Sequence, residues 1–357
     1  MARLPVEKVK IDLPITTENW WFSLLGFMFI GGLLLFTNWN RPTLSQPRLP
    51  TGFLCFYRED RFRGFSIAGD RLWAGGRDGL VLIDWKMGKV ISLPSGTPDL
   101  KNIESVAVDS SGTIWVGYDS GLSAFQGGIW KDMSEGLPSP KVMSVFPTAS
   151  GEVWVGTDKG TGRFVAGTWK PFEEQEKLSN SMVRVVFVDS RGGLWFGSYA
   201  APAGGLSYFD GSEWHYYSTQ NGLPHNNIVA VGEDRQGTIW VGSGYFDRGG
   251  LSRFNGFGSG TPEVKQFSKT DGLAGEKCRS VFQDRNGIWW FGSEYNGLAR
   301  FNGRTWRTFT EDDGLSGNEV MTMAQDPSDN LWLGTNHGLL RISSESLPIW
   351  QSDFPAN

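Results

Sequence analysis

The chain has 357 residues, with 48 glycines, 17 tryptophans and only 20% charged residues, a composition typical of many short strands joined by tight turns. Its formal net charge of −5, with no Lys/Arg cluster in the main domain that would track a phosphate backbone, argues against a nucleic-acid partner. Two cysteines exclude a disulfide framework, and no C-x-x-C spacing or phosphate-binding glycine loop indicates a metal or a cofactor.

An uncharged apolar stretch occupies residues 20–38. As a helix it would span roughly 28 Å at about 1.5 Å per residue, which is enough to cross a bilayer. Trp20 and Trp39 lie where the two membrane interfaces would place aromatic side chains. A buried core helix and a cleaved signal peptide are the alternatives, but no small-residue cleavage site follows the stretch. We therefore predict an uncleaved transmembrane helix that anchors the chain in a membrane.

The segments on either side of this helix predict the topology. Residues 1–19 form an N-terminal tail, and residues 39–51 form a linker whose three prolines favour an extended spacer. Three positive charges precede the apolar stretch and two follow it closely, so the positive-inside rule places the N-terminus in the cytoplasm. We expect a single-pass membrane protein in which residues 52–357 form a periplasmic or extracellular domain.

From residue 64 onward, the sequence repeats a tryptophan followed two residues later by glycine. The seven tryptophans are Trp73, Trp115, Trp154, Trp195, Trp240, Trp290 and Trp332. They lie 39 to 50 residues apart, the length that four short antiparallel strands and their turns require. One such unit would leave both apolar sheet faces exposed, so the units must stack. The pattern predicts an all-β fold, a seven-bladed β-propeller.

These repeats resemble the two-component regulator propeller family. The resemblance rests on a D-x-x-G-x-[IL]-W turn at residues 109–115 and 234–240, and on a Gly-Leu-Pro segment at residues 136–138 and 222–224. In that family, propellers bind an extracytoplasmic ligand, often a carbohydrate fragment, and a following helix signals to a histidine kinase. Here the apolar helix precedes the propeller, and the chain ends about 15 residues after the last repeat strand. The resemblance therefore implies a ligand-binding or sensor module without its own kinase.

Strand direction sorts the remaining residues onto two faces. With the strands of a blade labelled A to D from the channel outward, the B-to-C loops and D-to-A connections share one face, here called the B-to-C face. The A-to-B turns lie on the opposite A-to-B face. Five aspartates six residues before a blade tryptophan fall at these turns, where a carboxylate bonds the turn's own amides. We interpret them as structural: Asp109, Asp189, Asp234, Asp284 and Asp326.

The repeats diverge most on the B-to-C face, and divergence within a repeat array usually falls on binding loops. Tyrosine, aspartate and asparagine offer flat apolar surfaces beside directional hydrogen bonds, which suit a small carbohydrate, a peptide or a protein partner. The candidate ligand- or partner-binding residues are Tyr118, Asp119, Asp158, Tyr199, His225, Tyr245, Phe246, Asp247, Arg248, Glu294, Tyr295, Asn336 and His337. Taken singly, each is better interpreted as an ordinary solvated loop residue, whereas the face as a whole is better interpreted as a binding surface.

Two further functions stay open. A propeller without a signalling domain suits a structural or assembly subunit of a larger membrane complex. Some propellers are enzymes, and the streptogramin lyases are similar in repeat style; His225 and His337 share one face, where an acid–base pair is conceivable. No Gly-x-Ser-x-Gly motif or clustered metal ligands support catalysis. We therefore expect a binding or scaffold module and assign no catalytic residue.

The last sequence prediction concerns ring closure. Residues 53–57 precede the first inner strand and have the pattern of an outer D strand. We predict that they complete the last blade, with residues 349–350 as the rival segment. The B-to-C face would then point away from the membrane.

Overall fold

The computed structural model describes residues 49–57, 60–256 and 262–347, and these form seven four-stranded antiparallel sheets. The innermost strand of each sheet contacts those of the two neighbouring sheets, and the first contacts the last. The fold is therefore a closed seven-bladed β-propeller, as predicted. The predicted transmembrane helix at residues 20–38 lies outside the described residues. No helix in the described part of the chain is long and apolar enough to cross a membrane.

The strands follow the chain in blade order. The first is β1 (Phe53–Phe56). Blade 1 contains β2 (Phe62–Ala68), β3 (Arg71–Gly76), β4 (Leu80–Asp84) and β5 (Lys89–Ile91). Blade 2 contains β6 (Ile103–Val108), β7 (Ile114–Tyr118), β8 (Gly121–Gln126) and β9 (Ile129–Asp132). Blade 3 contains β10 (Val142–Pro147), β11 (Val153–Thr157), β12 (Gly160–Val165) and β13 (Thr168–Pro171). Blade 4 contains β14 (Val183–Val188), β15 (Leu194–Ser198), β16 (Gly205–Phe209) and β17 (Trp214–Tyr217).

The later blades keep this order. Blade 5 contains β18 (Ile228–Glu233), β19 (Ile239–Tyr245), β20 (Arg248–Asn255) and β21 (Glu263–Phe267). Blade 6 contains β22 (Cys278–Gln283), β23 (Trp289–Ser293), β24 (Leu298–Phe301) and β25 (Trp306–Phe309). Blade 7 contains β26 (Val320–Gln325), β27 (Leu331–Thr335) and β28 (Gly338–Ile342). Short 3-10 helices span Gln175–Lys177, Lys269–Asp271 and Glu311–Asp313.

The N-terminal strand closes the ring. β1 pairs antiparallel with β28, and Phe53 lies opposite Ile342. It occupies the outer position of blade 7, which confirms the closure predicted from residues 53–57; the rival segment, residues 349–350, lies outside the described residues. Because an outer strand runs towards the B-to-C face, the chain enters the propeller on the A-to-B face.

The recurring tryptophans and aspartates are structural, as interpreted from the sequence. All seven blade tryptophans are buried. Trp115, for example, packs against Phe164 and Trp169 of the next blade, with ring centroids 5.5 and 6.4 Å away. At the A-to-B turn of blade 7, Asp326 Oδ2 accepts a hydrogen bond from Trp332 Nε1 at 2.9 Å, while Oδ1 accepts two backbone amides of the turn. Blades 2, 4 and 6 repeat this carboxylate–indole bond.

The glycine of each Trp-x-Gly pair marks a close approach between blades. A Cβ on Gly117 would lie 2.6 Å from the Val142 side chain, and one on Gly242 would lie 2.7 Å from the carbonyl oxygen of Cys278. Val142 and Cys278 each begin the inner strand of the following blade. The other five blade glycines face the same position of the next blade. Glycine recurs here because any side chain would push neighbouring blades apart.

Candidate functional site

An irregularity at the start of every inner strand builds the walls of the channel mouth. In all seven blades, the register between the A and B strands shifts between the first and third residues of the A strand. Such a bulge leaves the intervening residue unpaired and redirects its side chain. The seven residues so placed are Arg63, Glu104, Met143, Arg184, Val229, Arg279 and Met321. All of them line one cavity of about 430 Å³ on the B-to-C face, near the lower end of the size range of ligand pockets.

The charged side chains of this mouth form two groups of ion pairs, here together called the network. Glu104, which is buried, binds both Arg63 and Arg184, with 3.0 Å between Arg184 Nη1 and its Oε2. Glu319 similarly bridges Arg61 and Arg279, the latter at 3.1 Å. The two groups draw on blades 1, 2, 4, 6 and 7. Charges of both groups act on Arg63, whose pKa is shifted by Arg184 of the first group and by Arg279 of the second.

The third carboxylate of the network is Glu294, on the B-to-C loop of blade 6. It pairs with Arg279 at 3.2 Å and with Lys277 Nζ at 2.8 Å. Lys277 is buried, and its Nζ also lies 3.2 Å from the hydroxyl of Tyr199. The Lys277 ammonium lies 5.4 Å from the centre of the Tyr199 ring, a cation–π distance. Tyr199 lines the cavity, so the ion pairs extend to an aromatic side chain of the cavity wall.

Burial and mutual repulsion act on the arginines of the mouth. Burial, followed by the positive charges of Arg184 and Arg279, lowers the pKa of Arg63 to about 10. Burial likewise lowers the pKa of Arg184 and of Arg279. Arg63 still carries its proton at neutral pH, since its pKa stays far above 7. Burial is thus the first cause in all three arginines, and neighbouring positive charges add to it at Arg63 and Arg279.

Exposed aromatic side chains continue the site beyond the cavity. Tyr245, Phe246 and Tyr295 are 47%, 57% and 55% exposed. The ring of Tyr245 lies 6.3 Å from that of Tyr199 and 4.3 Å from that of Phe246. We call Tyr245, Phe246 and Tyr295 the aromatic rim. Three large apolar groups left in solvent on one face are typical of the surfaces that anchor a ligand or partner.

The tip of the blade 5 hairpin has a strained backbone. Tyr245 pairs with Arg248, so Phe246 and Asp247 form a two-residue turn. Phe246 has φ of +51°, a conformation that glycine adopts readily and a bulky residue does not. A two-residue hairpin with positive φ at its first position ordinarily has glycine there. The sequence instead places an exposed phenylalanine at this position, and such strain is common at functional sites.

The loop of blade 4 is held by the connection that precedes blade 5. Tyr199 forms a β-bridge with Asn227, and the buried Asn227 accepts a hydrogen bond from the backbone N–H of Ala201 at 2.7 Å. His225 Nδ1 accepts a hydrogen bond from the Asn227 N–H at 2.9 Å. Burial, followed by the charges of Lys277 and Arg248, lowers the pKa of His225. The short polar residues of this connection thus fix Tyr199 at the cavity wall.

The residues predicted from the sequence fall into two groups. The cavity and its network contain Tyr199 and Glu294. Beside the cavity lie His225, Tyr245, Phe246 and Tyr295. The blade 5 hairpin also contains Asp247 and Arg248. The other five do not line the cavity: Tyr118, Asp119, Asp158, Asn336 and His337. Tyr118 packs in the core between blades 1 and 2, and Asn336 Oδ1 accepts the backbone N–H of Glu319 at 3.1 Å.

His337 has different neighbours from His225. Its Nδ1 lies 3.8 Å from Glu311 Oε1, and the side chain is exposed. Asp119 is exposed on the loop of blade 2, and Asp158 is half-buried on the loop of blade 3. The two histidines considered as an acid–base pair therefore have separate surroundings, one at Asn227 and the other at Glu311.

Sequence reasoning missed most of the ionised residues of the channel mouth. They are Arg61, Arg63, Glu104, Lys141, Arg184, Lys277, Arg279 and Glu319. No short stretch of sequence shows a cationic cluster, because the network joins residues as far apart as Arg61 and Glu319. A usable pattern does exist. The channel-facing residue precedes the blade tryptophan by eleven positions in six blades and by ten in the first.

The channel opens differently on the A-to-B face. A cavity of about 580 Å³ there is lined mainly by apolar side chains such as Phe146, Phe187, Val231 and Phe282, with Glu233 and Arg235 among the charged ones. It contains no ion-pair network like that of the B-to-C face among the described residues. Converging ionised groups in a partly enclosed pocket are typical of binding sites, so the B-to-C mouth is the better candidate.

A seven-bladed propeller with a charged channel mouth is thus the class of protein that the fold and site define. Residues 177–200, 222–245 and 314–337 match the model of the two component regulator propeller family. The resemblance recognised in the sequence is confirmed at these three segments. No curated protein sequence matches the chain.

Several solved propellers are similar in structure. The extracellular domain of BT4673 from B. thetaiotaomicron, assigned to a one component system, is 17% identical over 81% of this chain and 40% of its own, with a TM-score of 0.63. Virginiamycin B lyase from Staphylococcus aureus is 14% identical over 82% and 98%, with a TM-score of 0.64. PorZ, a surface component of the type-IX secretion system of Porphyromonas gingivalis, is 16% identical over 80% and 47%, with a TM-score of 0.61. At these identities, the likeness shows the fold alone.

Proposed function

We propose that this propeller is a ligand-binding or sensor module, anchored by residues 20–38 in a membrane with the propeller outside the cytoplasm. The observation that carries the proposal is the continuity of one site. A half-enclosed charged cavity, a tyrosine on its wall and an exposed aromatic rim all lie on the B-to-C face. The repeat family, together with a fold similar to an extracellular domain of BT4673, supports sensing.

The direction of β1 supports the same site. The chain enters the propeller on the A-to-B face, because β1 is the outer strand of blade 7. The B-to-C face is therefore opposite to the end of the propeller at which β1 begins. A ligand bound at the cavity would contact several blades at once, since the network joins blades 1, 2, 4, 6 and 7. Such a ligand would stiffen the ring and change the surface that the propeller presents to a partner protein.

Hydrogen–deuterium exchange tests the location of the site. The full chain in a mild detergent is mixed with a pool of oligosaccharides and, separately, with a pool of short peptides. We expect one pool to protect amides at the starts of the inner strands and in the β19–β20 hairpin. Protection confined to the A-to-B turns would contradict the proposal. A protease added to intact spheroplasts tests the location of the domain, because a cytoplasmic propeller would survive the treatment.

A structural or assembly subunit is the second candidate, and the aromatic rim favours it. Exposed Tyr and Phe side chains are common anchors in protein interfaces, and the fold is similar to PorZ, a component of a secretion system. Gentle detergent extraction followed by size-exclusion chromatography separates the two candidates. A sensor should elute alone, whereas a subunit should elute with its partners and lose them when Phe246 and Tyr295 are both replaced by serine.

A further inference from the structure

We propose that the cavity on the B-to-C face binds the carboxylate group of a small organic acid between Arg63, Arg184 and Arg279. The inference rests on the proposed binding function and adds the chemical class of the ligand. Three guanidinium groups from blades 1, 4 and 6 line the same cavity, although they come from positions more than 90 residues apart in the chain. Their convergence is a product of the fold.

The charges of the network do not balance. Five cations, Arg61, Arg63, Arg184, Lys277 and Arg279, share three carboxylates, those of Glu104, Glu294 and Glu319. Five minus three leaves two positive charges. Lys141 adds another at the cavity wall. Asp60, whose carboxylate accepts the backbone N–H groups of Arg61 and Arg77, adds one negative charge that offsets Lys141, so the excess stays at two. An anion entering the cavity would supply the negative charge that the network lacks.

Because the carboxylates are shared, N–H groups of the arginines remain for a ligand. A guanidinium has five N–H groups, and Glu104 alone is divided between two of these side chains. The side chains of Arg63 and Arg184 are 33% and 26% exposed, so both remain reachable from the cavity. Arginine binds a carboxylate through two parallel N–H···O bonds, and such charge-assisted bonds strengthen where water is scarce. The site is therefore suited to a planar oxyanion.

The other side chains of the cavity limit the size and polarity of the molecule that carries the carboxylate. Met143, Val229 and Met321 bring apolar surface from blades 3, 5 and 7, between the charged blades. Tyr199 presents an aromatic ring at the wall, already in contact with Lys277. A volume of about 430 Å³ accommodates one sugar ring or one short amino-acid residue. A uronate sugar and a peptide C-terminus both meet these requirements, and they share the carboxylate.

Two matched pairs of probes test the inference by isothermal titration calorimetry on the full chain. The first pair is D-glucuronate and D-glucose, and the second is N-acetylalanine and its amide. We expect the acid of at least one pair to bind at least tenfold more tightly than its neutral partner, with a millimolar dissociation constant normal for so small a ligand. The pair that shows the difference identifies a sugar acid or a peptide terminus as the source of the carboxylate.

Three variants complete the test. Arg184→Gln should weaken binding of the acid at least tenfold, and Arg184→Lys should weaken it less, because lysine keeps the charge and loses the planar fork. Arg304→Gln is the control, since Arg304 is exposed on a C-to-D turn of the opposite face; it should bind like the parent. If Arg184→Gln fails to fold, Arg184→Lys alone still tests the fork.

Two results would overturn the inference. Equal binding of the acid and its neutral partner would refute recognition of the carboxylate, but it would leave the ligand-binding proposal intact. If the Arg304→Gln control lost as much acid binding as Arg184→Gln, the placement of the ligand in this cavity would be refuted. The proposed function fails separately, through exchange protection confined to the A-to-B face.

Discussion

The closing strand β1 offers a sharp test of how the ring is held together. Its two neighbouring side chains have opposite environments: Phe53 is 6% exposed, whereas Leu54 is 44% exposed. Phe53 packs in a cluster with Leu331, Leu340 and Ile342 of blade 7. We predict that Phe53→Ala strongly destabilises the propeller and that Leu54→Ala, one residue along the same strand, does not.

The magnitude follows from the burial of the ring. A phenylalanine side chain removes roughly 200 Å² from water, worth about 5 kcal/mol at about 25 cal/mol per Å². Alanine retains part of this, and the emptied space relaxes only partly, so the expected loss in unfolding free energy is about 3 to 5 kcal/mol. Leu54→Ala should cost about 0.5 kcal/mol, since its side chain is already in solvent to a large extent.

Urea unfolding followed by tryptophan fluorescence measures both variants. The midpoint should fall clearly for Phe53→Ala and barely for Leu54→Ala, and amides of β28 should exchange faster only in the first variant. Equal midpoints for the two variants would show that β1 does not hold the ring closed. A large effect of Leu54→Ala alone would mean that the strand pairs with the opposite face inward.

Three further predictions concern the turns and the rim. Asp326→Asn should lower the unfolding free energy by about 3 kcal/mol, because an amide NH₂ would face the buried donor Trp332 Nε1. Asp234→Asn is the matched control and should lower it by about 1 kcal/mol. Asp234 accepts two backbone amides, but Trp240 Nε1 has no hydrogen-bond partner among the described residues. Burial acts to raise the pKa of Asp189, but hydrogen bonds from Arg191, Trp195 and Gly193 outweigh it and the pKa is lowered. The stabilisation from Asp189 is therefore complete above about pH 5 and lost as the pH falls below about 4, so denaturation melts against pH should show this acid loss reduced in Asp189→Asn. Phe246→Gly should raise the unfolding free energy by about 1 kcal/mol by relieving the positive φ, and should weaken ligand or partner binding in the same preparation; an unchanged midpoint with unchanged binding would contradict both parts.

The scaffold could be predicted from the sequence because each of its contacts recurs at a fixed spacing. Trp332 and Asp326 lie six residues apart and touch within one turn, and the same pair recurs in blades 2, 4 and 6. The closing strand was also predictable, since residues 53–57 precede any inner strand and an open ring would leave an unpaired edge. Local periodicity is sufficient for such features, because the repeat supplies seven copies of one pattern.

The site could be predicted only in part. Loop divergence led to Tyr199, Tyr245, Phe246, Glu294 and Tyr295, because loops are where a repeat array varies. The arginines of the channel mouth could not be predicted, because they lie in strands and their ion-pair partners are distant in sequence. Glu104, for instance, is 80 residues from Arg184. Whether such a residue faces the channel depends on the bulge at the start of each inner strand, which no local pattern of hydrophobicity reveals.

The same bulge explains why one propeller can combine a uniform frame with a specific site. Seven structurally equivalent positions hold Arg63, Glu104, Met143, Arg184, Val229, Arg279 and Met321. If these side chains served packing between blades, we would expect them to be as uniform as the tryptophans, which are buried in all seven blades. They differ in charge and size because the bulge removes them from the ladder and turns them into the channel. On the proposed function, their identities are set by what enters the cavity, and we expect a change at any one of them to alter binding.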